Sequence, residues 1–264
     1  MSEVVLKTVE QGVATITLNR PERLNAWTGE MGHAYFDALE ECEASTEVRA
    51  IVVTGAGKGF CAGADMAELQ ALGDGNLEEI SMVPDERPQT FALSISKPIV
   101  AAINGACAGL GLVHALMCDI RFAAADAKLT TAFSRRGLVA EHGIAWILPR
   151  LVGPARALDL LFSGRIVLGE EAAALGLVNR AVEGEKLLDE ALAYARELAT
   201  YASPASMATM KRQVYADLTR ELPAALAEAN RLMGESFTQP DFVEGVASFM
   251  ERREPRFAPL GGSA

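Results

Sequence analysis

No two of the four cysteines stand at C-x-x-C spacing, and the three histidines do not gather around them. Cys42, Cys61, Cys107 and Cys118 are therefore expected as reduced, mostly buried thiols, not as a zinc site or a disulfide framework. Basic charge is scarce: 24 lysines and arginines stand against 35 acids, for a net charge of −11. No basic stripe runs along the chain, which argues against a nucleic-acid interface, and the acidity itself reads as solubility. No uninterrupted apolar run approaches the ~18 residues needed to cross a bilayer. The start, Met1-Ser2-Glu3, leads into a strand-like segment and lacks a basic run followed by an apolar core, so a cytoplasmic location is expected. Repeats, low-complexity tracts and like-charge blocks are missing too, and fraying is expected only over residues 259–264.

Half of the 264 residues are hydrophobic, enough for one substantial core and an accessory helical segment. Residues 4–9 and 13–18 alternate around Gln11-Gly12, a hairpin signature. Residues 28–44 carry Met31, Tyr35, Leu39 and Cys42 at helical spacing. The short apolar run 50–54, closed by Gly55, is typical of a strand buried on both faces. Residues 98–103 form another such strand and 120–123 a further one. Helices are expected over 84–96, near 111–118, and from Asp65, which can cap, through Leu69. Strand and helix alternate through roughly residue 195, an α/β core. From Glu185 onward the pattern is helical only, with Pro204, Pro223 and Pro240 near the helix starts. The helical part can pack on a partner subunit or on the chain's own core.

Two glycine-rich stretches each follow a buried strand directly. One is Gly55-Ala56-Gly57-Lys58-Gly59-Phe60-Cys61-Ala62-Gly63-Ala64-Asp65, the other Asn104-Gly105-Ala106-Cys107-Ala108-Gly109-Leu110-Gly111. Small residues let a ligand approach the backbone, and an amide at a helix start points outward with the positive end of the dipole. Two such loops on neighbouring strands can aim two N–H groups at one oxygen, an oxyanion hole worth about 3 kcal/mol per donor in other acyl-transfer systems. The first stretch lacks the G-x-x-x-x-G-K-[S/T] of a P-loop, and neither fits a dinucleotide fold well. Each alone also fits a tight turn.

The words around these loops change the balance. Pro21-Glu22-Arg23-Leu24-Asn25-Ala26, Phe60-Cys61-Ala62-Gly63-Ala64-Asp65 and Lys97-Pro98-Ile99-Val100-Ala101-Ala102-Ile103-Asn104-Gly105 occur in order. They are followed by Met117-Cys118-Asp119-Ile120-Arg121, Gly176-Leu177-Val178-Asn179, and Glu244-Gly245-Val246-Ala247-Ser248-Phe249 with Arg252-Arg253. Across about residues 4–257 the chain resembles the enoyl-CoA hydratase/isomerase (crotonase) superfamily. That resemblance implies a crotonase-type ββα spiral over residues 1–195 that binds an acyl-CoA, and a C-terminal helical oligomerisation segment over 196–264 that builds homotrimers, often paired into hexamers. It implies no metal or redox cofactor, coenzyme A being part of the substrate. The implied oxyanion donors are the amides of Ala64 and Leu110. Ala62, Gly63, Asp65 and Met66 match the stretch lining the adenine and pantetheine groove, Gly109 stands beside the second donor, and Arg23 is the expected phosphate contact.

The same resemblance exposes a departure. Typical hydratases of the family carry two glutamates, and the matching positions here are Val113 and Phe133, neither able to transfer a proton. One carboxylate stands where dienoyl-CoA isomerases, ring-isomerising phenylacetate enzymes and aromatic dehalogenases carry an acid: Glu141, in Gly137-Leu138-Val139-Ala140-Glu141-His142-Gly143. A single carboxylate can take a proton from one carbon and return it to another. It adds about 10²–10⁴-fold, most efficiently among apolar neighbours, for which Val113, Phe133, Leu138 and Trp146 are candidates. The bland alternative is that Glu141 caps the following helix.

His114 and His142 match no acid/base of the family. Ser134-Arg135-Arg136, Arg252 and Arg253 are either solvated or phosphate contacts, and Asp119 and Asp126 are expected to be structural. The leading expectation is an enoyl-CoA isomerase or hydratase working through Glu141. The alternatives are thioester hydrolysis, decarboxylation or dehalogenation of an acyl-CoA, and a non-catalytic acyl-CoA-binding scaffold.

Overall fold

The computed structural model describes residues 4–73 and 87–260. Strands β1 (Val5–Glu10) and β2 (Val13–Leu18) pair antiparallel, with Glu10 opposite Val13. The residues between them, Gln11 and Gly12, have φ of +50° and +80°, the left-handed pair that a two-residue hairpin turn needs. Helix α1 (Gly29–Ala44) starts where the Thr28 side chain accepts from the Met31 amide, and its stripe of Met31, Tyr35, Leu39 and Cys42 is wholly buried. All four cysteines are unpaired and buried.

From β2 the main sheet grows in parallel through β3 (Ala50–Gly55), β5 (Ile99–Ile103), β7 (Ile120–Ala124) and β10 (Arg180–Val182). A second, smaller sheet is built from β4 (Gly59–Cys61), β6 (Ala106–Ala108), β8 (Lys128–Thr130) and β9 (Val167–Leu168), in that order. Each of β3, β5 and β7 is followed within a few residues by its neighbour in the second sheet. A helix then returns the chain: α2 (Met66–Gly73) after β4 and α3 (Leu110–Met117) after β6. This repeat of two strands and a helix, advancing one strand per turn, is the ββα spiral expected of the core.

Two expectations need correction. Both glycine-rich stretches, read as loops, carry a three-residue strand, β4 and β6. Strands that short show no period of two, so the second sheet left no periodic signal. The helix expected over 84–96 is a single 3₁₀ turn at Phe91–Ser94, residues 84–86 lying outside the described residues. Its bonds close over three residues, Phe91 N–H to the Pro88 carbonyl and Leu93 N–H to that of Thr90. The chain then turns extended at Ile95 to feed β5 through Pro98.

After α4 (Ile144–Val152), α5 (Pro154–Ser163) and α6 (Gly169–Leu175), the last four elements are α7 (Leu187–Tyr201), α8 (Pro204–Asp217), α9 (Leu222–Ser236) and α10 (Pro240–Glu251). Proline occupies the first or second position of α8, α9 and α10, where its missing N–H costs nothing. The division at 195/196 falls inside α7, which buries Leu187, Ala191, Ala195 and Ala199 and packs on β3 and β5. Helix α8 is tied to the core by Lys211, whose Nζ lies 2.8 Å from Asp119 Oδ2. Asp119 also accepts the Ile99 amide at 2.8 Å, the structural role expected of it. Helix α9 buries none of its residues.

Candidate active site

The two glycine-rich segments are lashed together by side-chain amides. Asn104 accepts the Gly55 N–H at 3.1 Å and donates to the carbonyls of Gly55 at 2.9 Å and Gly57 at 3.0 Å. Asn25, fully buried, donates to the carbonyls of Gly59 at 2.7 Å and Ala56 at 3.0 Å. Both asparagines stand inside the motifs of the sequence, but this tying role depends on partners 31 and 49 residues away, which an amide able to donate and accept at once can reach.

Beside β4, Trp27 pairs with the strand-like segment around Ala64. The Trp27 N–H donates to the Gly63 carbonyl at 2.7 Å, and the Asp65 N–H donates to the Trp27 carbonyl at 2.9 Å. Trp27 thus uses the residues on either side of Ala64, and the Ala64 N–H faces the other way, with no protein acceptor among the described residues. Leu110 opens α3, so its N–H has no acceptor within the helix. Gly63 and Gly109 hold φ of +99° and +49° to turn the chain at these points. A methyl group added to Gly63 would stand 2.9 Å from the Ala108 carbonyl oxygen and 3.8 Å from the Leu110 nitrogen. The two free amides therefore lie side by side.

They open on a cavity of about 630 Å³. All ten residues singled out from sequence line it: Arg23, Ala62, Gly63, Ala64, Asp65, Met66, Gly109, Leu110, Phe133 and Glu141. Arg136, Leu138 and His142 line it as well, whereas Val113, within α3, is fully buried and Trp146 is not part of the wall. Arg23 is exposed in a 3₁₀ turn, Pro21–Arg23, on the rim. Arg135 is drawn away by a 2.8 Å bond to the Ser163 carbonyl. Arg252 and Arg253 do not line the cavity, and Arg253 is engaged by Glu244 at 2.6 Å. Residues 74–86, which follow α2, lie outside the described residues.

Among the described residues, two carboxylates line the cavity. Asp65 accepts the Ala67 amide at 3.0 Å, capping α2 as expected, and pairs with Arg20 at 3.1 Å. Burial pushes its carboxyl up, but the Ala67 hydrogen bond and the Arg20 guanidinium outweigh this and hold it below the usual carboxylate range. Glu141 is different. The N-cap of the helix behind it is Gly143, which has no side chain to offer. His142 and Gly143 hold successive φ of +51° and +82°. Glu141 is left about one-third exposed, with Oε2 3.8 Å from His142 Nε2.

His114 takes no part in the cavity wall. It is buried and stacks on Trp27 with ring centres 3.7 Å apart. Burial first, and the charge of His142 second, push its imidazole down to about 3. Cys61, next to the first loop, is pushed up to about 12 by burial, although backbone hydrogen bonds pull the other way, so it stays a thiol and not a nucleophile.

A ββα spiral that brings two unpaired amides and a carboxylate to one cavity defines the class of enzyme that handles thioester carbonyls. The match to known families agrees: the enoyl-CoA hydratase/isomerase family model covers residues 8–259, and the chain belongs to that family, whose general chemistry is on acyl-CoA. Among curated relatives, the 1,2-epoxyphenylacetyl-CoA isomerase of Escherichia coli is 38% identical, over 97% of this chain and 99% of that protein. A probable enoyl-CoA hydratase of Rhodobacter capsulatus is 41% identical over 94% and 95%. Among solved structures, an enoyl-CoA hydratase from Mycobacterium marinum is 50% identical, with a TM-score of 0.71 over 83% of this chain and all of that one. One from Polaromonas is 31% identical, with a TM-score of 0.89 over 96% and 99%.

Proposed function

We propose that the protein isomerises an unsaturated acyl-CoA, relocating a proton through Glu141 while the amides of Ala64 and Leu110 hold the thioester oxygen. The observation that carries this reading is the state of the two carboxylates that line the cavity among the described residues. Asp65 is committed to Arg20 and a backbone amide, whereas Glu141 has, among the described residues, no guanidinium or ammonium partner, only His142 at 3.8 Å. The positions where typical hydratases carry acids hold Val113 and Phe133.

The chemistry follows. An allylic C–H of the bound thioester gives its proton to the Glu141 carboxylate, and the electron pair moves into the carbonyl, forming an enolate. Two N–H donors on that oxygen contribute about 3 kcal/mol each, and the positioned carboxylate about 10²–10⁴-fold. The carboxylic acid then returns the proton to a different carbon of the same conjugated system. Phe133 and Leu138 supply an apolar wall. Arg23 and Arg136, on the cavity's edge, are the cations placed to meet the phosphates of coenzyme A. The name of the Escherichia coli relative, an isomerase of a CoA thioester, supports the same class of reaction. The exposed apolar side chains of α9 and α10, Leu222 and Phe249 among them, support assembly of the helical segment with further copies of the chain into trimers or hexamers.

Products formed from a panel of 2-enoyl, 3-enoyl and dienoyl thioesters, identified by mass spectrometry, test this reading. The 3-enoyl and dienoyl substrates should show a moved double bond, and crotonyl thioester should hydrate slowly. Rapid hydration of the crotonyl thioester with no isomerisation contradicts it.

A further inference from the structure

We infer that His142 is a relay residue that carries the proton of Glu141 to and from solvent; this rests on the role proposed above for Glu141. Both side chains line the same cavity. His142 Nε2 stands 3.8 Å from Glu141 Oε2, and the His142 side chain is 28% exposed, so one end of the ring faces the carboxylate just beyond hydrogen-bond distance while the residue touches water. Its backbone holds φ +51°, a region that few non-glycine residues enter and that histidine enters more readily than most. Gly143 continues the turn at φ +82°.

Among the described residues, the other groups at this end of the cavity do not compete with His142 as the relay. Arg136, also on the cavity, cannot lose its proton. On the buried side is His114, whose Nδ1 and Nε2 both lack a hydrogen-bond partner and whose imidazole burial keeps neutral. A proton entering this group therefore resides on Glu141 or on His142.

The step balances simply. After Glu141 has taken the substrate proton, its O–H bond breaks as an N–H bond forms on neutral His142 Nε2. The imidazolium then releases its Nδ1 proton to water, and the reverse sequence recharges the carboxyl. The 3.8 Å gap is closed by rotation of the Glu141 side chain or bridged by one water. Glu141 is itself about one-third exposed and exchanges with water on its own, but in competition with return of the proton it removed; the relay is a second, faster route. With it, the site takes up solvent hydrogen and can run reactions in which the proton leaving one carbon is not the proton delivered to another.

The test is the deuterium content of product formed from a 3-enoyl thioester in deuterated buffer, for wild type, His142→Asn and His142→Gln. Asparagine is chosen first because it tolerates the left-handed backbone. In both variants solvent label per turnover should fall by about fivefold or more, with a smaller loss of isomerisation rate than in Glu141→Gln. Added imidazole should restore label uptake to a His142→Ala variant. Label content unchanged in both variants overturns the relay, as does a wild type that isomerises without any solvent label. A rate loss in His142→Asn as deep as that of Glu141→Gln also overturns it, since His142 would then act on the substrate step itself. If wild type neither isomerises nor exchanges the α-proton of a saturated acyl-CoA, the proposed function fails and the relay with it.

Discussion

Replacing Leu110 by proline takes one N–H out of the cavity at a position where the fold can spare it. Leu110 is the first residue of α3, and the first helical position is where proline fits a helix best, because that N–H has no acceptor there. The preceding residue, Gly109, sits at φ +49° and ψ −119° and has no Cβ to collide with the proline ring. What the substitution does cost is packing, since the leucine side chain is 6% exposed, and trimming such a side chain to alanine costs about 2–5 kcal/mol. Leu110→Ala therefore serves as the reference: it loses the side chain and keeps the donor. Loss of one oxyanion donor lowers kcat by about 10²–10³-fold, roughly 3–4 kcal/mol. Leu110→Pro should fall below Leu110→Ala by that factor, with the two Tm values within a few degrees of each other. Initial rates at saturating 3-enoyl thioester, with thermal melts alongside, measure both quantities. A proline variant as active as the alanine variant would refute the assignment of the Leu110 amide as an oxyanion donor.

Other consequences can be measured directly. His114 has an ordinary value of 6.5 and is pushed down to about 3 in the fold, so the unfolded chain takes up a proton first as pH falls. Stability should be fully present above about pH 6.5 and drain away toward about pH 3, by up to about 1.4 kcal/mol per pH unit. Urea midpoints of wild type and His114→Leu at about pH 4.5 and 7 check this: the variant should lose less on acidification, and equal losses contradict the sign. Arg23→Ala should raise KM for the CoA thioester several-fold, with kcat little changed, as expected for a contact made equally in ground and transition states. A fall in kcat at unchanged KM would move Arg23 out of the phosphate-binding role. Light scattering should give a trimer or a multiple of three, since Leu222, Phe249 and Met250 are 78%, 82% and 76% exposed in the single chain. A stable monomer at micromolar concentration contradicts that.

Much of the molecule was legible in the sequence because its signals are local. Gln11-Gly12 announced the hairpin through its need for left-handed residues, and Thr28 with the apolar stripe of α1 announced that helix. Pro204, Pro223 and Pro240 marked helix starts because only there is a missing N–H harmless. The cavity wall was legible through words in register, and all ten expected residues meet in it. What stayed hidden depends on distant partners. Strands β4, β6, β8 and β9 are too short for periodicity and exist only because each finds a neighbour in the second sheet. The bonds from Asn25 and Asn104 join segments some 30 to 50 residues apart, and no spacing rule points to them. The expected helix over 84–96 failed at Phe91–Ser94 because the chain must become extended to enter β5. His142 looked incidental beside Glu141, since nothing in its neighbours' identities foretold a left-handed backbone at a histidine.

The central claim is that one carboxylate, Glu141, moves the proton. Steady-state kinetics of Glu141→Gln on the 3-enoyl thioester test it most directly, because glutamine keeps the side chain's size while removing its ability to accept and return a proton. The account predicts a kcat lower by about 10²-fold or more with KM within a fewfold of wild type. A variant that keeps near-full activity would remove Glu141 from the mechanism.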